Sequence, residues 1–342
     1  MMKEEKYIIE IAELAITNAC SHRCPYCYVG EGFHTTNLHA DFNVLCRIID
    51  KLDKYSVKMV ALLGGDPAEH PQVIDLAKYI RNNTKIRVSM VSNTLEFAGY
   101  KPIEVARYID SIDFTVHGRN AEEHDSFCGK LGAYDLAMKN LKAFNDLGVI
   151  VNIVVNVIPQ THEKIFDIVK NVVDKGIKVS TLLTQRVIKR GRAKGTDIYE
   201  TNASQVNKAF KCVARIESEL GIDISVEDPY PLCGIEEKYH KYMKGCPEGR
   251  SRIPVNGFDG RISSCGVVVG EYGGGNILDD TYDAIWTKSP IFEEFRCQSY
   301  LLHEKCRDCL LREACGGGCP LNCKAHHAEG EDFIKIFKGE DK

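Results

Sequence analysis

Short apolar runs rich in β-branched residues alternate with longer stretches of helical period along the first two-thirds of the chain. Runs at 8–16, 57–63, 86–91, 111–116, 149–157 and 177–183 predict strands. Residues 42–55, 72–82, 102–108, 134–147, 162–175 and 203–220 repeat apolar side chains every three or four positions and predict helices. Asp41 and Thr161 stand where they would cap the first and fifth helices, and Gly148 and Gly176 where two helices should stop. Six such units in succession predict an α/β fold with a parallel sheet and right-handed crossovers. The strand runs are apolar throughout, as in a sheet buried on both faces. Periodicity leaves open whether the sheet curls into a partial barrel or stays open. Either way, chemistry belongs on the loops after the C-terminal ends of the strands.

Past Gly221 the texture changes. Helical period fades, Gly and Cys become frequent, and short strand-like pieces appear at 252–255 and 261–263. Residues 221–342 therefore read as a small loop-rich module beside a core domain at 8–220. Its apolar content is too thin to fold without metal.

At 44% hydrophobic and 27% charged, the 342 residues can bury a sizeable core. Lys and Arg number 44 against 48 Asp and Glu, which gives no basic excess for a nucleic-acid partner. No apolar run approaches the ~20 residues of a membrane span. The charged start has no signal-peptide core, so a cytoplasmic location without a membrane partner is expected. Fifteen cysteines break this ordinary picture. In a long chain of this kind they point to metal rather than to disulfides.

Three of them form Cys20-Ser-His-Arg-Cys24-Pro-Tyr-Cys27, directly after the first predicted strand. Structural zinc and a closed iron–sulfur cluster both take four protein ligands. Three thiolates leave a coordination position for something exogenous, unless His22 or His34 completes a zinc site. This C-x3-C-x-aromatic-C string, with Tyr26 as the aromatic residue, resembles the signature of the radical S-adenosylmethionine (SAM) superfamily. The resemblance implies a partial (β/α)6 TIM barrel over roughly residues 8–190. It also implies a [4Fe–4S] cluster on Cys20, Cys24 and Cys27, with SAM chelated to the fourth iron. An electron from the cluster would cleave SAM to methionine and a 5′-deoxyadenosyl radical.

Further motifs follow in order. Gly64-Gly65-Asp66-Pro67 resembles the family's G-G-E-P turn, which binds the SAM amino group, with Asp66 one methylene shorter than the usual Glu. Ser92-Asn93 and Thr115 fall where the family places polar contacts to the nucleoside. Cys246, then Gly260-x4-Cys265, then Cys306-x2-Cys309-x5-Cys315-x3-Cys319 with Cys323 beyond, resembles the auxiliary-cluster region called SPASM. A zinc ribbon is the alternative. The resemblance assigns Cys246, Cys265 and Cys319 to one auxiliary cluster, and Cys306, Cys309, Cys315 and Cys323 to a second. The first then lacks a ligand, which Cys233 or Cys297 could supply, with Cys233 preferred, unless the site opens to substrate. Cys46, Cys128 and Cys212 are expected to be inert thiols in or beside helices.

What the resemblance implies is a radical SAM oxidoreductase with three [4Fe–4S] clusters. It would oxidatively modify a side chain of a peptide or protein, as in cross-linking or related maturation. It would draw electrons from a donor such as flavodoxin or ferredoxin. Sulfatase maturases of the family place an Asp after the second SPASM cysteine, whereas Gly266 follows Cys265 here. The alternatives are the same chemistry on a small molecule (a porphyrin side chain, an amino acid or a sugar alcohol) or an electron-transfer iron–sulfur protein. His117, Gln185, Arg186 and Tyr230 are candidates for catalytic proton transfer. The basic turn Lys189-Arg190-Gly191-Arg192 could hold an acidic group or lie in solvent.

Overall fold

The computed structural model describes residues 7–30, 38–93, 97–268, 271–296, 303–322 and 333–339. Strands β1 (Ile11–Thr17), β2 (Met59–Gly64), β3 (Arg87–Val91), β4 (Ser111–Thr115), β5 (Ile150–Asn156), β6 (Val179–Gln185) and β7 (Asp223–Val226) lie side by side in chain order. All pair in parallel. Beyond β1 the sheet continues with β8 (Arg252–Asn256), parallel to β1, then antiparallel β9 (Arg261–Ser263) and β10 (Tyr272–Asn276). The order is β10-β9-β8-β1-β2-β3-β4-β5-β6-β7, so the sheet stays open between β7 and β10. It is the partial barrel expected.

The helices between strands include α1 (Phe42–Lys54), α2 (Val73–Asn83), α3 (Pro102–Val105), α4 (Ala121–Cys128), α5 (Ala133–Asp146), α6 (Ile165–Asp174) and α7 (Ala203–Arg215). The Asp41 carboxylate caps α1 by accepting from the Asn43 and Val44 amides at 2.9 and 3.1 Å. Gly148 and Gly176 take positive φ after α5 and α6, as their positions require. Thr161 does not cap α6, which starts at Ile165. Its hydroxyl instead donates to the Asn156 carbonyl and accepts from the Ile158 amide, bracing the loop that leaves β5. Helix α4 escapes the hydrophobic pattern altogether. Its buried residues are His124, Asp125 and Cys128, a polar face without apolar period.

The expectation of a sheet apolar on both faces is overturned. Ala12, Leu14 and Ile16 of β1 share one core with Leu45, Ile48 and Leu52 of α1. Glu13 alternates with them and points the other way, onto a chamber inside the barrel. Arg252 of β8 reaches Glu13 at 3.3 Å, and Asn152 of β5 donates to Asp113 of β4 at 2.8 Å. The barrel interior is polar where a closed barrel would be filled with aliphatic side chains.

Residue 220 does not end the sheet. β7 continues it on one edge and β8–β10 on the other. Ile253, Val255, Ile262, Ile277, Ile285, Trp286 and Phe292 belong to the same continuous core as the first two hundred residues. Trp286 is the chain's single tryptophan and donates to the Tyr7 carbonyl at 3.0 Å. The cysteine-rich stretch 303–322 has thinner support, a small cluster of Ile188, Val268, Phe295, Cys319 and Leu321. Trp286 fluorescence and far-UV circular dichroism should therefore lose native signal at the same urea concentration. An earlier fluorescence transition would show the β8–β10 end to be a separable unit.

Candidate active site

The cysteine loop leaves β1 and is gripped at once by the end of β2. The Gly65 amide donates to the Thr17 carbonyl at 2.8 Å, and the Asp66 amide to the Ala19 carbonyl at 2.7 Å. A Cβ on Gly64 would lie 2.2 Å from the Thr17 oxygen, and one on Gly65 would lie 2.1 Å from that of Ala19. The glycine pair is thus demanded by backbone meeting backbone, one residue before Cys20. From the far side, the Gly191 loop closes on the same segment. The Arg192 amide donates to the Cys27 carbonyl at 2.9 Å, and its guanidinium to the Cys24 carbonyl at 3.1 Å.

Cys20, Cys24 and Cys27 line one cavity of about 700 Å³ together with Tyr26, Gly65, Asp66 and other residues. Ser92, Asn93, Thr115 and His117 line it too, so most of the residues singled out from the sequence converge. Gly64 stands just outside, on the neighbouring chamber. Burial pushes the Cys24 thiol up to about 12 and Cys20 higher still. Burial outweighs the nearby Arg192 charge, so these thiols stay protonated until a metal or another cation arrives. His22 also lines the cavity, but no three Cys, His, Asp or Glu side chains among the described residues converge on a single-ion site. Thiols spread around a cavity suit a cluster of several irons better than one zinc. His34 lies outside the described residues.

Asp66 is buried and heavily used. One carboxylate oxygen accepts from the Ala68 amide at 2.9 Å and the Ser92 hydroxyl at 2.8 Å; the other accepts from the Asn93 amide at 2.8 Å. It therefore fastens the loop after β3 to the loop after β2, and one of about four acceptor positions is left for a ligand. Burial raises its pKa to about 7 despite those bonds.

A second finding is a chain of polar contacts. Asn156 donates its amide to the Tyr26 hydroxyl at 2.6 Å, and that hydroxyl lies 2.9 Å from His117 Nδ1. Burial keeps His117 neutral, and its Nε2 lies 3.7 Å from Cys24 Sγ. The His117 ring stacks on His124 and Phe127 of α4 at 5.0 and 5.1 Å. Sequence reading missed α4 as part of the site. Asn120 three residues before Glu123, with Gly129 at the end, is a helix signature that would have found it.

Beside this cavity lies a larger chamber of about 1340 Å³. The two share Tyr26, Cys27, Tyr28, Gly65, Val91 and Thr115 as a common wall. Cys246, Cys265 and Cys319 line the chamber together, with Gln185 and Arg186. Tyr230 is not on its surface: it lies behind Arg186, whose guanidinium stacks on the ring at 4.5 Å. Glu13, Glu227, Asp228 and Glu248 complete the polar lining. Burial raises Asp113 and Asp228 to about 6 and lifts Glu248 well above the usual carboxylate range. Lys189 pairs with Asp197 and Glu200, and Arg190 with Glu271, so two cations of the basic turn are already engaged.

Cys233 does not approach the Cys246 group. It is exposed and feels Cys315 and Cys309, while Cys315 Sγ accepts from the Leu232 amide at 3.2 Å. Its place is with the second set of cysteines. Cys323 and Cys297 lie outside the described residues. Cys128 is buried, and Cys46 and Cys212 are half-buried, in their helices.

A family model described as the radical SAM superfamily matches residues 14–172, and one described as an iron–sulfur cluster-binding domain, SPASM, matches 246–310. The subtilosin biosynthesis protein AlbA of Bacillus subtilis is 22% identical over 312 residues, 90% of this chain and 66% of AlbA. The PqqA peptide cyclase of Methylorubrum extorquens is 25% identical over 345 residues, 94% of this chain and 82% of that protein. An AdoMet-dependent heme synthase of Nitratidesulfovibrio vulgaris is 22% identical over 349 residues, 94% of this chain and 89% of that protein. Among solved structures, Streptococcus suis SuiB bound to its precursor peptide SuiA superposes with a TM-score of 0.73 at 17% identity, covering 92% of this chain and 73% of that one. That likeness establishes the fold.

The Gly65 contact yields a direct test. Gly65→Ala drives a methyl into the Ala19 carbonyl 2.1 Å away, so the Cys20 segment must move. A loss of more than about 2 kcal/mol is expected in chemical denaturation, with reduced iron uptake on reconstitution. Wild-type stability would mean that the two loops are not in contact.

Proposed function

Because the chain belongs to the radical SAM superfamily and carries a SPASM domain, we propose that it is a maturase that oxidatively modifies a side chain of a peptide or protein. The bound cofactors supply the reductive cleavage of SAM to a 5′-deoxyadenosyl radical. Cys20, Cys24 and Cys27 hold the first [4Fe–4S] cluster, and Tyr26, Gly64, Gly65, Asp66, Ser92, Asn93 and Thr115 shape the SAM pocket. Cys246, Cys265 and Cys319 hold the first auxiliary cluster and leave one position open to the chamber. Cys306, Cys309, Cys315 and Cys323 hold the second, with Cys233 at its edge. A flavodoxin- or ferredoxin-type donor in the cytoplasm feeds the first cluster.

The observation that carries this reading is the shared wall between the two cavities. A substrate side chain in the chamber would lie between the SAM pocket and the Cys246 group, with an electron exit on its far side. The peptide class draws on the relatives named as a peptide cyclase and a bacteriocin biosynthesis protein. The relative named as a heme synthase raises the small-molecule alternative. Haem carries carboxylates, and a chamber wall with more acidic than basic side chains suits them less well than a cationic group.

Anaerobic reconstitution should give brown protein with about twelve irons per chain, from three four-iron clusters. Replacing Cys20, Cys24 and Cys27 together by Ala should remove about a third of that iron and abolish 5′-deoxyadenosine release. Colourless protein with stoichiometric zinc would overturn the assignment.

His117 generates a second test. His117→Phe keeps the ring stack and removes the imidazole nitrogen facing Cys24, which can donate to a thiolate there. Hydrogen bonds to cluster sulfurs help set reduction potential, so the first cluster should shift on the order of tens of millivolts to the negative side. An EPR-monitored redox titration reads this directly, and an unchanged potential would place His117 outside the cluster's environment.

A further inference from the structure

The chamber wall is electrostatically unbalanced. Among the described residues, Glu13, Glu227, Asp228 and Glu248 line it against Arg186 and Arg252. Arg252 is shared, 3.3 Å from Glu13 and 2.8 Å from Glu227. Arg186 is shared as well: its charge acts on Asp228, its guanidinium stacks on Tyr230, and the Asn322 carboxamide, with its oxygen turned inward, accepts from it at 2.9 Å. Asp228 accepts from the Arg186 amide at 3.0 Å, a neutral donor.

Glu248 is the odd member. It is only 4% exposed, it lines the chamber, and its Oε2 has no hydrogen-bond partner. A buried polar atom left unmatched costs about 1–3 kcal/mol, more when it is charged. A fold that keeps one on the wall of a cavity is set up for a donor that arrives from outside. A metal ion is not that donor, because no three acidic, Cys or His side chains among the described residues converge on a single-ion site. Donors spread over several ångströms fit better, and an ammonium or guanidinium group provides them.

We propose that the chamber binds a cationic group of the substrate, the side chain of a lysine or arginine residue, with Glu248 as its acceptor and Glu13 beside it. Glu13 comes from the first strand and Glu248 from the turn after Cys246. The cation would therefore be drawn to the wall between the SAM pocket and the first auxiliary site. Gly266 makes room for this arrangement, since a Cβ there would lie 2.1 Å from Glu13 Oε2. The inference rests on the peptide-modifying function proposed above and specifies what that peptide must carry.

The test uses reconstituted holoenzyme with saturating SAM and no reductant, so that SAM's own positive charge is already bound. Fluorescent pentapeptides Gly-Gly-X-Gly-Gly, with X as Lys, Arg, norleucine or Glu, are titrated by polarisation. The Lys or Arg peptide should bind at least about tenfold more tightly than the norleucine peptide, a difference of one decade in Kd. The Glu peptide should bind most weakly. Glu248→Gln should shrink the preference to within about threefold, with Glu13→Gln as the second variant should the first lose iron. Equal affinity for the Lys and norleucine peptides, or a preference untouched by both substitutions, would overturn the inference. A separate aliquot of wild-type enzyme with dithionite reports 5′-deoxyadenosine. If that product is absent, it is the radical SAM reading that fails, whatever the peptides do.

Discussion

Everything at this site hangs on one close approach of backbone to backbone. The end of β2 lies so near the end of β1 that Gly64 and Gly65 have no room for a side chain. Two backbone hydrogen bonds, from the Gly65 amide to the Thr17 carbonyl and from the Asp66 amide to the Ala19 carbonyl, fix the chain just before Cys20. Asp66 then passes the constraint on to Ser92 and Asn93 on the next loop. Three loops from three strands are thereby tied into one rim. A metal ligand on a free loop would lose much of its affinity to ordering, whereas Cys20 stands on a loop that the neighbouring strand already holds.

The same rim explains why the barrel can be open and polar within. Its helical side carries the aliphatic core that stabilises the sheet, so the inner face need not be filled with hydrocarbon. Charges there are costly, and the molecule satisfies most of them pairwise: Arg252 with Glu13 and Glu227, Asp113 with Asn152. Those pairs also leave a polar-walled cavity large enough for a side chain. Glu248 is the group that this pairing leaves over.

The C-terminal third divides by its anchoring. Residues 252–296 add strands to the sheet and bury Trp286 and Phe292 in the main core. Residues 303–322 rest on a handful of apolar contacts around Cys319. Apolar support is therefore thinnest where the cysteines are densest, and the strands before it bring Cys246 and Cys265 to the chamber on their own.

Parallel pairing and the cysteine loop after β1 were legible in the sequence, because each depends on short-range pattern. Alternating β/α units dictate parallel crossovers, and a C-x3-C-x2-C string is short enough to show its resemblance to a known signature. Gly64–Pro67 was legible as a motif, but its physical reason was not. Proximity to Thr17 and Ala19 exists only once β1 and β2 pair. Helix α4 stayed hidden because its buried face is His124, Asp125 and Cys128, and a polar face leaves no hydrophobic period to read. The partnership of Cys233 with Cys315, and the convergence of Glu13 with Glu248 across more than two hundred residues, belong to tertiary structure entirely. Side chains so far apart in the chain have no common local signal. Only the sheet that places β8 against β1 brings them face to face.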